Sequence, residues 1–328
     1  MKRRDFITLL GGAAAAWPLA ARAQQATMPV VGYLAIGARD AQRERSLTAF
    51  RQGLGEIGYV EGRNVEIDYR WAERSNDELP HLALELVRRR VSVIVTTGGT
   101  PTALAAKAAT KSIPIVFSVG ADPVEIGLVA NLNRPGGNLT GAVNLSTAVL
   151  AKRFEMLHEL VPSATTLGLL ANPANPIFET ETKEAQSATQ QLGVNLLVAK
   201  ASNAGEIFTA FAKLGEERVG ALVVSSDASL STRSEQIVAL AARQALPAIY
   251  LFRDNTVAGG LMSYGPNLTE TAHISGAYAG RILKGEHAGD LPVQQVTKLD
   301  LVINLKTANA LGLTVPLPLL GRADEVIE

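Results

Sequence analysis

Cysteine is absent from all 328 residues. That single absence removes disulfides, thiolate zinc sites, iron–sulfur clusters and cysteine nucleophiles. Aromatic residues make up only 5% of the chain, too few for a stacking platform on single-stranded nucleic acid. Neither sign of charge is in excess, with 31 basic and 31 acidic groups, which argues against a nucleic-acid partner. His81, His158, His273 and His287 are scattered and form no H-x-x-H pair, so no metal site is expected. There is no G-x-S-x-G elbow, no P-loop, and no G-x-G-x-x-G after the first strand. No cofactor is expected. Beyond residue 24 no run approaches 18 consecutive apolar residues, so the mature form is not expected to be membrane-embedded. What is present is a chain 47% hydrophobic and 19% charged, enough to bury one large core or two ordinary ones.

The first 23 residues differ from the rest. Lys2, Arg3 and Arg4 form a basic start, Phe6 to Ala21 is apolar apart from Thr8, and Ala21-Arg-Ala23 is an A-x-A cleavage signal. This pattern predicts a signal peptide cleaved after about Ala23. The paired arginines followed by Asp5 and Phe6 resemble a twin-arginine export signal. The expected destination is a periplasm. Without these residues the chain carries three more acidic than basic groups, so the apparent neutrality comes from a basic export address.

The mature sequence alternates buried strands with amphipathic helices. Val30 to Leu34, Val65 to Tyr69, Val91 to Thr97 and Ile113 to Val119 read as strands. Between them, residues 41–57 place Leu47, Phe50, Leu54 and Ile57 at helical spacing, and Ser75 to Glu78 is a capping box. Such alternation predicts an α/β fold with mostly parallel sheets. The pattern then recurs. Leu167 to Leu170, Val219 to Asp227 and Leu246 to Tyr250 echo Val31 to Leu34, Val91 to Gly99 and Ile113 to Phe117, in the same order. Two similar lobes are expected, one from 29–145 with about 257–290, the other from 146–256 with about 291–328. Residues 261–284, a strand and a helix at 269–284, would then pack back on the first lobe.

Ala121-Asp-Pro-Val-Glu-Ile-Gly-Leu-Val-Ala130 and Asn133-Arg-Pro-Gly-Gly-Asn-Leu-Thr-Gly141 are very similar to the signature of a family of ABC-transporter solute-binding proteins of the tryptophan/tyrosine type. Gly259 to Asn267, Arg281 to Gly285 and Val302 to Gly312 also resemble that family. The resemblance covers nearly all of the mature chain. It implies a type I periplasmic-binding-protein (Venus flytrap) fold: two Rossmann-like lobes, a multi-strand hinge with three crossovers, and a ligand in the cleft.

In parallel α/β sheets, ligands bind beyond the carboxyl ends of strands. That rule selects Ala35 after the first strand, with Tyr33 at its end. It selects the loop Thr97-Gly98-Gly99-Thr100-Pro101, where Thr100 is expected to cap a helix whose amides would suit a carboxylate. Gly120 and Asp122 follow the fourth strand, with Asp122 either capping a helix or accepting a ligand ammonium. In the second half, Asn172, Asn175 and Phe178 follow one strand, and Asn175-Pro176 is expected to open a helix. Asp227 follows another strand and could meet an amine. Arg253 could clamp a carboxylate, and Tyr264, in the proposed return strand, could stack on a ligand. The expected function is that of a monomeric exported receptor. It would pass a small polar ligand, amino-acid-like or another small carboxylate, to an ABC-type membrane permease. The alternatives are a periplasmic sensing domain serving a receptor, and an exported enzyme using Asp122 and Asp227.

Overall fold

The computed structural model describes residues 28–37, 41–73, 75–144 and 149–328. The expected signal peptide lies outside them. The first half contains β1 (Val30–Ile36), α1 (Ala41–Glu56), β2 (Glu66–Ala72), α2 (Leu79–Arg88), β3 (Val93–Thr96), α3 (Thr100–Ala109), β4 (Ile115–Val119) and β5 (Leu139–Val143). The second continues with α4 (Leu150–Leu160), β6 (Thr166–Ala171), α5 (Phe178–Leu192), β7 (Asn195–Lys200), α6 (Ala204–Glu216) and β8 (Ala221–Val224). After these come α7 (Ala228–Ser231), α8 (Ser234–Arg243), β9 (Ala248–Tyr250), α9 (Arg253–Val257) and β10 (Met262–Pro266). The chain ends with α10 (Leu268–Leu283), β11 (Gln294–Gln295), β12 (Leu299–Asn304), α11 (Leu305–Ala310), α12 (Leu317–Leu320) and β13 (Glu325–Ile327).

Two sheets form, ordered β11-β5-β4-β3-β1-β2 and β13-β12-β10-β9-β8-β6-β7. The first is parallel throughout. The second is parallel except where β12 runs against β10. The echoed sequence strings fall on β1 and β6, β3 and β8, and β4 and β9, which hold matching places in the two sheets. Each sheet reverses its order beside the first strand of its lobe, and such a reversal opens a crevice at the carboxyl ends.

Strand β1 shows why the runs are continuously apolar. Tyr33 and Ala35 enter the core shared with α1 and α10, while Leu34 and Ile36 enter the core shared with α2 and α3. Both faces of the strand are covered, so neither can be polar. Each of these buried large side chains contributes about 1.5–3 kcal/mol relative to exposure.

The chain passes between the lobes three times: from β5 to α4, from β10 to α10, and from β11 to β12. The second passage comes later than the sequence suggested. Residues from about 257 were expected to join the first lobe, yet β10 pairs with β9 and β12 in the second sheet. The return therefore begins with α10, and β11 still belongs to the first sheet. Two glycines explain the docking of α10. A Cβ on Gly53 of α1 would lie 2.0 Å from the His273 carbonyl oxygen, and one on Gly276 of α10 would lie 2.0 Å from that of Phe50. The two helices approach too closely for any larger residue at either position.

Candidate functional site

A cavity of about 120 Å³ lies between the lobes, bounded by strand ends and loops of both. Its size is close to that of a cavity of about 150 Å³ that admits one benzene-sized ring. The first lobe supplies Tyr33, Thr97, Gly98, Gly99, Thr100 and Gly120 of the expected residues, and the second supplies Asn175 and Asp227. The other expected residues do not line it.

The wall at α3 is built by backbone geometry. Gly98 and Gly99 both have positive φ, 95° and 94°, and Gly99 rather than Thr100 is the residue that precedes the helix. A Cβ on Gly98 would lie 2.3 Å from the Ile36 side chain. Gly99, Thr100 and Pro101 line the cavity, so the α3 N-terminus and its positive dipole end lie on this wall. Arg43 adds a cation to the same lobe's wall, its Nε donating to the Ile36 carbonyl at 3.1 Å. The Thr96 hydroxyl also faces this region, buried and without a hydrogen-bond partner among the described residues.

The aromatic side of the cavity is a cluster. Tyr33 meets Phe50 edge-on with centroids 5.2 Å apart, and its ring lies 6.1 Å from that of Trp71. Its hydroxyl bonds the Thr97 side chain, and burial raises its pKa well above the usual phenol range.

The second-lobe wall carries the carboxyl group of Asp227. Asp227 is 4% exposed. One oxygen accepts from the Leu230 amide at 2.9 Å; the other accepts from Asn175 Nδ2 at 2.8 Å and Asn172 Nδ2 at 3.2 Å. These donors favour the carboxylate, but burial outweighs them and raises its pKa. Asn172 does not reach the cavity. It supports Asp227, and its Oδ1 accepts from Ala174 N–H and the Ser202 hydroxyl.

The remaining expected residues find other partners. Ala35 is fully buried in the core beside Tyr33. Asp122 is exposed and caps a turn rather than a helix, accepting from the Val124 and Glu125 amides at 2.8 and 3.4 Å. Asn175 does not open a helix either: α5 begins at Phe178, and Asn175 Oδ1 accepts from Ile177 N–H. Phe178 turns into the core under Lys200, whose ammonium lies 5.2 Å from the ring. Arg253 is held bidentately by Glu325 at 2.6 Å on the surface. Tyr264 packs against the second-lobe core from β10.

Several cavity residues escaped the sequence reading. Trp71 and Asn144 stand at the carboxyl ends of β2 and β5, so the strand-end rule could have found them. Ser46 and Phe50 come from α1, and Leu268, Ala272 and Ser275 from α10. Nothing local in the sequence announces those. Among the described residues no group of His, Asp or Glu is arranged to hold a metal, and no helix is long and apolar enough to cross a membrane.

Comparison with known proteins agrees with this architecture. The family described as "ABC transporter substrate binding protein" matches residues 36–327. A curated "Tyrosine-binding protein" from Clostridioides difficile is 26% identical over 270 residues, covering 82% of this chain and 77% of that protein. A solved conserved domain protein from Vibrio cholerae is 28% identical, with TM-score 0.84, covering 92% of this chain and all of that one. A solved domain from Streptococcus pneumonia in complex with L-Trp is 24% identical, with TM-score 0.83 and the same coverage. The fold is that of the type I periplasmic binding proteins.

Proposed function

The chain belongs to the ABC transporter substrate binding protein family, and from that premise we propose that it captures a zwitterionic amino acid between its lobes and delivers it to a membrane permease. Members of that family bind solutes and are not enzymes. One observation carries the reading of the ligand: the same cavity is lined by cationic groups from one lobe and by a carboxyl group from the other. The α3 N-terminus and Arg43 lie on the first lobe, and Asp227 lies on the second. An α-carboxylate suits the first and an α-ammonium the second. A ligand bearing both charges gains most when the lobes are closed around it, so closure is driven by its differential affinity for the closed form.

The aromatic cluster of Tyr33, Phe50 and Trp71 suits an apolar, flat side chain. A relative named for tyrosine and a fold neighbour solved with L-Trp support the same class. Residues 1–23 would export the chain by the twin-arginine route, with cleavage after about Ala23, and the mature protein would act as a periplasmic monomer.

Thermal-shift screening of the protein lacking residues 1–23 tests this. Aromatic amino acids should raise the melting temperature by several degrees at millimolar concentration. A response confined to sugars or purines, with amino acids silent, would overturn the amino-acid reading.

A further inference from the structure

Behind the Asp227 wall, two ionisable side chains are buried away from solvent. Arg153 of α4 is 0% exposed and Glu181 of α5 is 1% exposed. Arg153 Nη1 donates to the Val224 carbonyl at 2.6 Å. Its Nε and Nη2 have no hydrogen-bond partner among the described residues. Glu181 Oε1 accepts from the Ser226 amide at 3.0 Å. The two side chains thus grip the end of β8 on either side of Ser225, and the next two residues, Ser226 and Asp227, line the cavity. A half-satisfied guanidinium is a poor way to fill space, since an apolar side chain there would usually be as stable or more so.

We propose that Glu181 is a positioning residue for the Ser226–Asp227 edge and that it couples ligand capture to the release of a proton. This rests on the reading of Asp227 as the site of the ligand's ammonium. Glu181 faces Arg153 from α4 and Asp227 from the loop after β8. Lys200 of β7 sits over Phe178, one turn earlier on α5. On its own helix Glu184 also feels Arg153, and Glu125 of the first lobe faces Glu184. Burial, with a smaller push from Asp227, favours the protonated acid; Arg153 and the Ser226 amide favour the carboxylate. The balance leaves its pKa at about 7. An ammonium drawn to Asp227 cancels the push from that carboxylate. The Glu181 carboxyl then gives its proton to solvent, and the resulting carboxylate accepts more strongly from Ser226 N–H. Linkage requires the converse: raising the pH must tighten binding.

Two measurements test this on the protein lacking residues 1–23. In the unliganded protein, the Ser226 amide resonance should titrate near neutral pH, and Glu181→Gln should abolish the titration. Calorimetry with L-tyrosine, in buffers of different ionisation enthalpy, should show proton release at pH 6.5. Affinity should rise severalfold from pH 6 to pH 8, and both effects should vanish in Glu181→Gln. An amide that does not titrate between pH 5.5 and 8.5 overturns the proposal, and the unsubstituted protein alone decides this if the variant fails to fold. A titrating amide with no proton released on binding overturns the coupling. Failure of L-tyrosine and L-tryptophan to bind counts against the amino-acid reading, while the amide titration still judges the role of Glu181.

Discussion

Arg45 of α1 pairs with Asp254 of α9, joining the first lobe to the second. The two residues are 209 positions apart in sequence and belong to different lobes. An ion pair between lobes exists only while the lobes are together, so it stabilises the closed form and leaves the fold of each lobe unaffected. Arg45→Ala should weaken ligand affinity about two- to fivefold at low salt, the scale of an exposed pair. The deficit should shrink at high salt. Calorimetry at two ionic strengths checks it, and exchanging the two charges should restore affinity.

The chain has two tryptophans, Trp17 and Trp71. A protein lacking residues 1–23 therefore emits through Trp71 alone, and Trp71 lines the cavity. Ligand titration should change the intensity or wavelength of that emission in a saturable way. Trp71→Phe should remove the signal. A saturating ligand, proven by calorimetry, that leaves Trp71 emission unchanged would mean binding elsewhere.

Gly98 and Gly99 separate backbone strain from collision. Both have positive φ, but only at Gly98 would a Cβ strike Ile36. Gly99→Ala should cost about 1–3 kcal/mol through strain alone. Gly98→Ala should cost about 1–3 kcal/mol more through overpacking. Urea denaturation gives the ordering, and equal losses would argue that Ile36 moves aside.

Asp227→Asn removes the carboxyl group from the cavity wall while nearly preserving shape. Amino-acid affinity should fall at least tenfold. Asn175→Ala, which deletes the 2.8 Å donor to Asp227, should reduce affinity and also cost about 1–3 kcal/mol of stability, because a buried acceptor loses a partner. A ligand affinity indifferent to Asp227→Asn would remove this residue from the site.

Glu181 also predicts a pH dependence of stability. Its pKa is about 7 in the fold against an ordinary 4.5. The native state keeps a proton that the unfolded chain has already lost. This contribution is fully present below about pH 4.5, and it is lost as the pH rises through 7. Across that window it amounts to roughly 3 kcal/mol. Denaturation at pH 5 and pH 8 should show this slope in the native sequence and a flatter one in Glu181→Gln.

The positions legible in sequence were those whose role is local. Gly98 and Gly99 announce a turn by themselves, and Asp227 stands where a buried strand stops. The misreadings have one physical source: a side chain's partner lies far along the chain. Arg253 looked like a ligand clamp because Glu325, 72 residues later, is invisible to local pattern. Phe178 looked like a cleft wall, yet α5 starts at that residue and turns it inward. Reading β2 as ending at Tyr69 hid Trp71, which stands two residues further on, almost at the strand's carboxyl end.

Sequence alone determined the two-lobed α/β architecture, because continuous apolar strands and amphipathic helices leave few other ways to bury both faces of a sheet. It also determined which strand ends could meet a ligand. Tertiary structure decided which of those ends converge. It decided that α10, not β10, returns to the first lobe, since Gly53 and Gly276 permit a backbone approach no hydrophobic pattern encodes. It also brought Asp227 and the α3 N-terminus to one cavity and set Glu181 and Arg153 behind Asp227. Charges act through space, and a one-dimensional pattern does not carry the distances on which their energies depend.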